Sequence, residues 1–144
     1  MRYQDIETKF ETPEGIVELL NSLEDDQFKC INYHTKLFRS GGLTDPGNLQ
    51  VTLEELTGVY MQLMAYFSVA SYTKKHRESN YIHNKKIELG KANIKPIVSI
   101  LEREAEREVK DENRILTILQ GKLDACEKGI STCQSKIKLL TVER

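Results

Sequence analysis

The segment "LTILQGKLDACEKGISTCQSKIKLL", residues 116–140, decides the predicted fold. Its apolar side chains recur at alternating spacings of three and four residues, which is the heptad pattern of a helix that packs along one narrow seam. We expect one chain to bury too little of this seam, so that a homo-oligomer in the form of a ring completes the packing. The predicted oligomerisation residues are Leu116, Leu119, Leu123, Cys126, Ile130, Cys133, Ile137 and Leu140.

The cysteines are interpreted as packing residues, and the alternative for Cys126 and Cys133 is disulfide or metal chemistry between the chains of an oligomer. Cys126 and Cys133 are seven residues apart, which is about 10.5 Å along a helix at 1.5 Å per residue and too far to share one metal ion within a chain. A free thiol behaves as a small hydrophobe, and Cys30 is interpreted in the same way as a core residue. Three cysteines without CxxC spacing do not make a disulfide framework, so we expect reduced thiols and no bound metal.

Composition favours a single all-α domain. The chain has 144 residues, of which 39% are hydrophobic and 30% are charged, and it has no Trp. This balance favours long solvated helices over a β-sandwich, and the prediction is short N-terminal helices followed by two long helices with heptad seams. No segment reaches the ~18 apolar residues of a membrane span, and the N-terminus lacks the apolar core of a signal peptide. We therefore expect a cytoplasmic protein with no membrane partner.

Turn and capping residues divide the chain at about residue 50. The start of a short helix is predicted at Thr12 and Pro13, which suit the N-cap and the first helical position. The stretch "SGGLTDPGN", residues 40–48, combines a glycine C-cap with turn residues and predicts a stop and a hinge. We expect residues 1–50 to be an acidic N-terminal helical segment, and residues 51–144 to be the region for oligomerisation and nucleic-acid binding.

Two long helices are predicted after this boundary. Thr52 and Glu55 have the spacing of a capping box at the start of the first one. Pro96 ends or kinks that helix because proline has no N–H to donate, and a last helix of about 45 residues follows from Ile97. The seam of the first long helix contains Leu53, Leu56, Tyr60, Leu63, Phe67 and Ala70.

Charge is distributed unevenly along the chain. The net charge is only −1, yet residues 71–95 carry seven Lys or Arg against two Asp or Glu, whereas residues 1–72 carry five against eleven. Positions 74, 77, 81 and 85 of this basic belt form one stripe along a helix, where phosphates can pair with the cations and a base can stack on the tyrosine. A solvated helix face is the alternative interpretation. The predicted nucleic-acid-binding residues are Lys74, Lys75, Arg77, Tyr81, Lys85, Lys86, Lys91 and Lys95.

The motifs of the common catalytic sites are missing from the sequence. There is no phosphate-binding glycine loop, no GxSxG and no HExxH. His76 and His83 lie seven residues apart among cations, which is a poor setting for zinc because neighbouring positive charge disfavours a metal ion. We therefore expect a protein without enzymatic activity and without a cofactor.

Three stretches together resemble the UvsY family of phage recombination mediators. They are the start, Met1-Arg2 followed by Asp5-Ile6-Glu7, then "KKIELGK" at residues 85–91 and "LDACEKGISTCQSK" at residues 123–136. The resemblance is most extensive over residues 53–140, and it implies an all-helical ring with a DNA-binding helix. Lys85, Lys86 and Lys91 match basic positions of that helix, whereas Gly90 and Ala92 stand where the family has basic residues.

Two functions are compatible with these patterns. The first is a mediator of DNA recombination and repair that binds single-stranded DNA and promotes assembly of a RecA-type recombinase while single-strand binding protein is displaced. The resemblance places it in the cytoplasm of a bacterial host. The second is a non-enzymatic phage structural, scaffolding or adaptor coiled coil, whose basic belt is solvated or pairs with the acidic segment of a neighbouring subunit.

Overall fold

Helices are the regular elements of the described chain, which confirms the all-α prediction. The computed structural model describes residues 3–42 and 44–142. Met1 and Arg2, which belong to one of the stretches quoted for the family resemblance, lie outside the described residues. The helices are α1 (Tyr3–Lys9), α2 (Pro13–Asp25), α3 (Gln27–Ser40), α4 (Pro46–Lys91), α5 (Val98–Glu108) and α6 (Lys110–Val142).

The main core lies between α4 and α6, the helix pair in most extensive contact. Leu56 lies beside Gly129, and Arg77 pairs with Glu112, so the two helices run antiparallel. Both predicted seams meet in this core. Their shared buried residues are Leu56, Leu63, Ala70, Leu119, Leu123 and Cys126.

The seam of α6 is largely covered within one chain. Four of its predicted residues, namely Leu119, Leu123, Cys126 and Cys133, are at most 3% exposed. The other four, namely Leu116, Ile130, Ile137 and Leu140, are half-buried. The expectation that one chain buries too little of this seam is therefore wrong, because α4 supplies the apolar surface that a second chain was expected to provide.

The N-terminal helices pack onto the same core. Ile6 and Phe10 at the N-terminus, Leu19 and Leu23 of α2, and Phe28 of α3 are buried in the cluster that α4 and α6 form. The predicted boundary between residues 50 and 51 falls inside α4. Residues 3–42 are thus part of one helical body in the structure.

The start of α4 differs from the prediction. Asp45 is the N-cap, since its Oδ2 accepts a hydrogen bond from the Asn48 N–H at 3.0 Å, and Pro46 is the first helical residue. The predicted capping box of Thr52 and Glu55 is wrong, because Thr52 is buried inside the helix. An Asp-Pro pair suits a turn and a helix start equally well, which explains the error.

Capping interactions elsewhere agree with the sequence. The Thr12 hydroxyl accepts a hydrogen bond from the Gly15 N–H at 3.0 Å at the start of α2. Gly41 ends α3 with φ 68°, a left-handed conformation that glycine adopts without strain. These two residues fix where the short helices begin and end.

The end of α4 precedes Pro96, as predicted. Asn93 has φ 56°, and the Ile94 N–H donates to the Leu89 carbonyl at 2.9 Å, which is the hydrogen bond of a Schellman motif. The predicted single last helix is divided at Val109, whose φ of −108° and ψ of 22° depart from helical geometry. This break lets α5 contact α4 at Tyr81, which bonds to Glu104, while α6 packs on α4 from Arg77 back to Leu56.

Candidate nucleic-acid interface

The predicted stripe of Lys74, Arg77, Tyr81 and Lys85 faces α5 and the start of α6. Arg77 forms an ion pair with Glu112 of α6, and the Glu112 side chain is fully buried. The Tyr81 hydroxyl donates a hydrogen bond to Glu104 of α5 at 2.9 Å. Two of the four members of the stripe therefore hold helices together.

The remaining two lysines of the stripe pair with glutamates on their own helix. Lys74 Nζ lies 3.7 Å from Glu78, and Lys85 Nζ lies 3.4 Å from Glu88. The hydrogen bond to Glu88 raises the pKa of Lys85, and the hydrogen bond to Glu104 raises the pKa of Tyr81. Both acidic residues of the basic belt thus lie on the side of the stripe and offset its charge.

A different face of α4 carries unpaired cations, and we call it the outer face. At 3.6 residues per turn, its six residues fall within an arc of about 100°. All six side chains are exposed, and none of them is acidic. The outer face consists of Tyr72, Lys75, His76, Ser79, His83 and Lys86.

Two predicted binding residues, Lys75 and Lys86, anchor the outer face. They are eleven residues apart, which is about 16.5 Å along the helix and three turns, so they point the same way. Among the described residues, 3–42 and 44–142, no ion pair shorter than 4.0 Å includes Lys75 or Lys86. Their ammonium groups are therefore free to meet an anion from solvent.

An exposed aromatic residue lies beside these lysines. Tyr72 is 65% exposed, and its ring stacks on that of His76 with the centroids 6.0 Å apart and the planes 7° from parallel. Sequence reasoning chose Tyr81 as the stacking residue and missed Tyr72. The spacing could have shown it, because Glu78 and Glu88 lie four and three residues after Lys74 and Lys85 and so mark the stripe as a paired face.

The other two predicted cations lie near the end of α4. Lys91 is exposed in the last turn, where a positive charge favours the helix dipole, and Lys95 is exposed in the linker before Pro96. Neither belongs to the outer face. They extend the basic surface to the end of the hairpin that α4 and α5 form.

Exposed apolar side chains cluster in sequence at the same end of the hairpin, and we call them the apolar tip. They come from the linker and from the start of α5, between 47% and 58% exposed. Single exposed apolar residues are normal on a protein surface, but four within seven consecutive residues favour contact with another molecule. The apolar tip consists of Ile94, Ile97, Val98 and Ile100.

The two cysteines of α6 are packing residues, as predicted. Cys126 and Cys133 are completely buried, and burial raises the pKa of the Cys126 thiol to about 11. Burial also raises the pKa of Cys133. A buried thiol with a raised pKa stays protonated and inert at neutral pH.

The third cysteine belongs to a cluster that sequence reasoning missed. Cys30 and His34 on α3 and Glu55 on α4 bring a sulfur, a ring nitrogen and a carboxylate oxygen within 4.8 Å of one another. The four-residue spacing of Cys30 and His34 was a signal, because it places two metal-ligating side chains on one helix face. Their meeting with Glu55 depends on the packing of α3 against α4, which the sequence does not state.

Comparison with known proteins gives no relative for this chain. It matches no protein family, no curated protein and no solved structure. Among the described helices, none has an apolar stretch long enough to cross a membrane.

Proposed function

We propose that this protein binds single-stranded DNA on the outer face of α4 and acts, without enzymatic activity, as a recombination mediator. The observation that carries this proposal is an exposed face with two unpaired lysines, two histidines and a tyrosine, and no carboxylate. Ammonium groups suit phosphates, and an exposed ring suits an unstacked base. Duplex DNA hides its bases, so Tyr72 favours the single strand.

The role as a mediator rests on the resemblance to the UvsY family. It would have a RecA-type recombinase and single-strand binding protein as partners, in the cytoplasm of a bacterial host. By holding the strand extended along α4, the protein would favour filament growth of the recombinase while single-strand binding protein leaves. Lys86 belongs both to the outer face and to the stretch "KKIELGK", so it links the geometry with the resemblance.

A homo-oligomer would strengthen binding by repeating the outer face in each subunit. Because most of the α6 seam is buried, we propose that subunits meet through the last turns of α6. Leu139 is 63% exposed and Val142 is 76% exposed there. Sedimentation velocity of the wild type and of Leu139→Glu tests this assembly. A wild type that remains a monomer, or a variant that assembles equally well, contradicts it.

The test of DNA binding compares two faces of one helix. Fluorescence anisotropy of a labelled oligonucleotide, single-stranded beside duplex, is measured at about 50 and about 300 mM salt. The double variant Lys75→Gln/Lys86→Gln removes two charges from the outer face. Lys74→Gln/Lys85→Gln removes two charges from the paired stripe and is the matched control.

We expect the outer-face variant to lose affinity and salt sensitivity. Each phosphate contact contributes about 0.7 to the slope of log K against log salt for single strands, so losing two contacts lowers the slope by about 1.4. The control should keep most of the wild-type slope, since its lysines already pair with glutamates. Equal losses in both variants, or no binding at low salt, would overturn the proposal.

The second candidate is a structural or adaptor protein, and the apolar tip favours it. A tip of exposed isoleucine and valine suits docking to another protein better than binding to phosphates. The double variant Ile97→Ser/Ile100→Ser separates the two functions. A mediator should keep its DNA affinity with this change. An adaptor should bind no DNA, either as wild type or as the variant, and the variant should no longer assemble through the apolar tip.

A further inference from the structure

Two helices bring three metal-ligating side chains together near the N-terminal half of α4. α3 presents Cys30 and His34 from one face, four residues apart, and α4 presents Glu55 across from them. Glu55 is half exposed, and a cavity of about 260 Å³ borders His34 and Glu55. An ion can therefore reach the cluster from solvent.

The imidazole in this cluster is incompletely satisfied. His34 is only 3% exposed, and its Nε2 lies 2.6 Å from a carboxylate oxygen of Glu55. Its Nδ1 is buried and has no hydrogen-bond partner among the described residues. Nε2 is the ring nitrogen that faces Glu55 and would bind an ion together with that carboxylate, while the unpaired Nδ1 shows that the chain itself leaves this buried ring incompletely satisfied.

We propose that Cys30, His34 and Glu55 bind one zinc ion and leave its fourth position open to solvent. Sulfur, nitrogen and oxygen together are the ligand set of zinc, whereas calcium and magnesium prefer oxygen alone. In a tetrahedral zinc site these atoms lie roughly 3.3–3.7 Å apart, at metal distances of about 2.0–2.3 Å. The three ligand atoms lie within 4.8 Å of one another, and the 2.6 Å contact between His34 and Glu55 would lengthen by about 1 Å to admit the ion.

The ion would connect α3 to α4 and so hold the N-terminal helices on the core. Zinc that binds the folded chain and not the unfolded one raises the melting temperature. The cluster lies about five turns before the outer face along α4, from Glu55 to Tyr72. Zinc binding and DNA binding can therefore succeed or fail independently.

The experiment uses the full chain, reduced with a phosphine and freed of metal by dialysis against a chelator. Cobalt(II) is the spectroscopic probe, and zinc is then titrated to displace it while isothermal titration calorimetry measures zinc directly. We expect one ion per chain, a sulfur-to-cobalt charge-transfer band and a higher melting temperature with zinc. Cobalt binding without that band would overturn the proposal, since it would leave Cys30 out of the site.

Variants test two of the three ligands. Cys30→Ser and Glu55→Gln change groups that are not fully buried, so both should fold, and each should weaken zinc binding at least about tenfold. Cys133→Ala removes a thiol far along α6 and His76→Gln removes a surface imidazole. These two matched controls should bind zinc like the wild type. Unchanged zinc affinity in Cys30→Ser or Glu55→Gln, with native circular dichroism, would overturn the proposal.

Discussion

The two halves of α4 belong to one continuous helix, yet the first half is buried in the core and the second half lies at the surface. Before residue 71, α4 places six side chains in the interior, from Leu49 to Ala70, between the N-terminal helices and α6. From residue 71 to Lys91 it buries none, and α5 lies along one side of it only. A heptad seam makes a core only where a partner covers it, and the same helix continues beyond the core as a charged surface.

The sharpest contrast between the halves should be in stability. Leu63→Ala deletes a fully buried side chain from the first half and should lower the free energy of unfolding by about 3 to 4 kcal/mol, from lost burial and the cavity left behind. Ile87→Ala, in the exposed half, should change it by less than about 0.5 kcal/mol. Urea unfolding followed by circular dichroism measures both. Similar losses would mean that the second half is also part of the core.

Arg77 is the exception in the second half. Arg77→Ala leaves the buried Glu112 carboxylate without its partner and should cost about 3 kcal/mol. Lys75→Ala removes an equal charge two residues away and should cost less than about 0.5 kcal/mol. Replacing both members, as Arg77→Met/Glu112→Leu, should restore much of the loss. If Arg77→Ala and Lys75→Ala have the same free energy of unfolding, the ion pair contributes nothing to stability.

The buried thiol of Cys126 predicts how stability depends on alkaline pH. The pKa of Cys126 is about 11 in the folded chain, against an ordinary value of 9.0. Above pH 9.0 the unfolded chain releases the proton while the folded chain keeps it. Unfolding is therefore favoured progressively up to about pH 11, by about 2 to 3 kcal/mol in total.

Cys126→Ala should flatten this dependence between pH 9 and 11 relative to the wild type. Urea unfolding at a series of pH values in that range is the measurement. An unchanged slope in the variant would assign the alkaline loss to other groups, for example to the tyrosines or to Cys133.

Tyr72 should combine a very small effect on stability with a large effect on DNA binding. Tyr72→Ala should leave the free energy of unfolding within about 0.5 kcal/mol, because the side chain is exposed. It should weaken binding of single-stranded DNA by about tenfold, since stacking on one base contributes about 1 to 3 kcal/mol. Tyr81→Phe keeps its ring and loses the contact with Glu104, so it should bind DNA like the wild type. If Tyr81→Phe weakens DNA binding more than Tyr72→Ala does, the interface is the stripe and not the outer face.

What the sequence could predict follows from how local each signal is. The spacing of apolar residues predicts the seams of α4 and α6, and the residue types at Thr12 and Gly41 predict the caps. The direction of the basic stripe is not, because it depends on where α5 and α6 bring Glu104 and Glu112. For the same reason the meeting of Cys30, His34 and Glu55 could not be read from spacing alone.

The break at Val109 has a consequence for how the chain moves. α5 buries only Leu101 and Ala105, so it is held far less tightly than α6, which the break separates from it. Its backbone amides should exchange with deuterium through local opening, well before those of α6 exchange through global unfolding. Each such opening releases Tyr81 from Glu104, so a minor population of the native protein exposes the Tyr81 ring to solvent while Arg77 stays paired with Glu112 of α6.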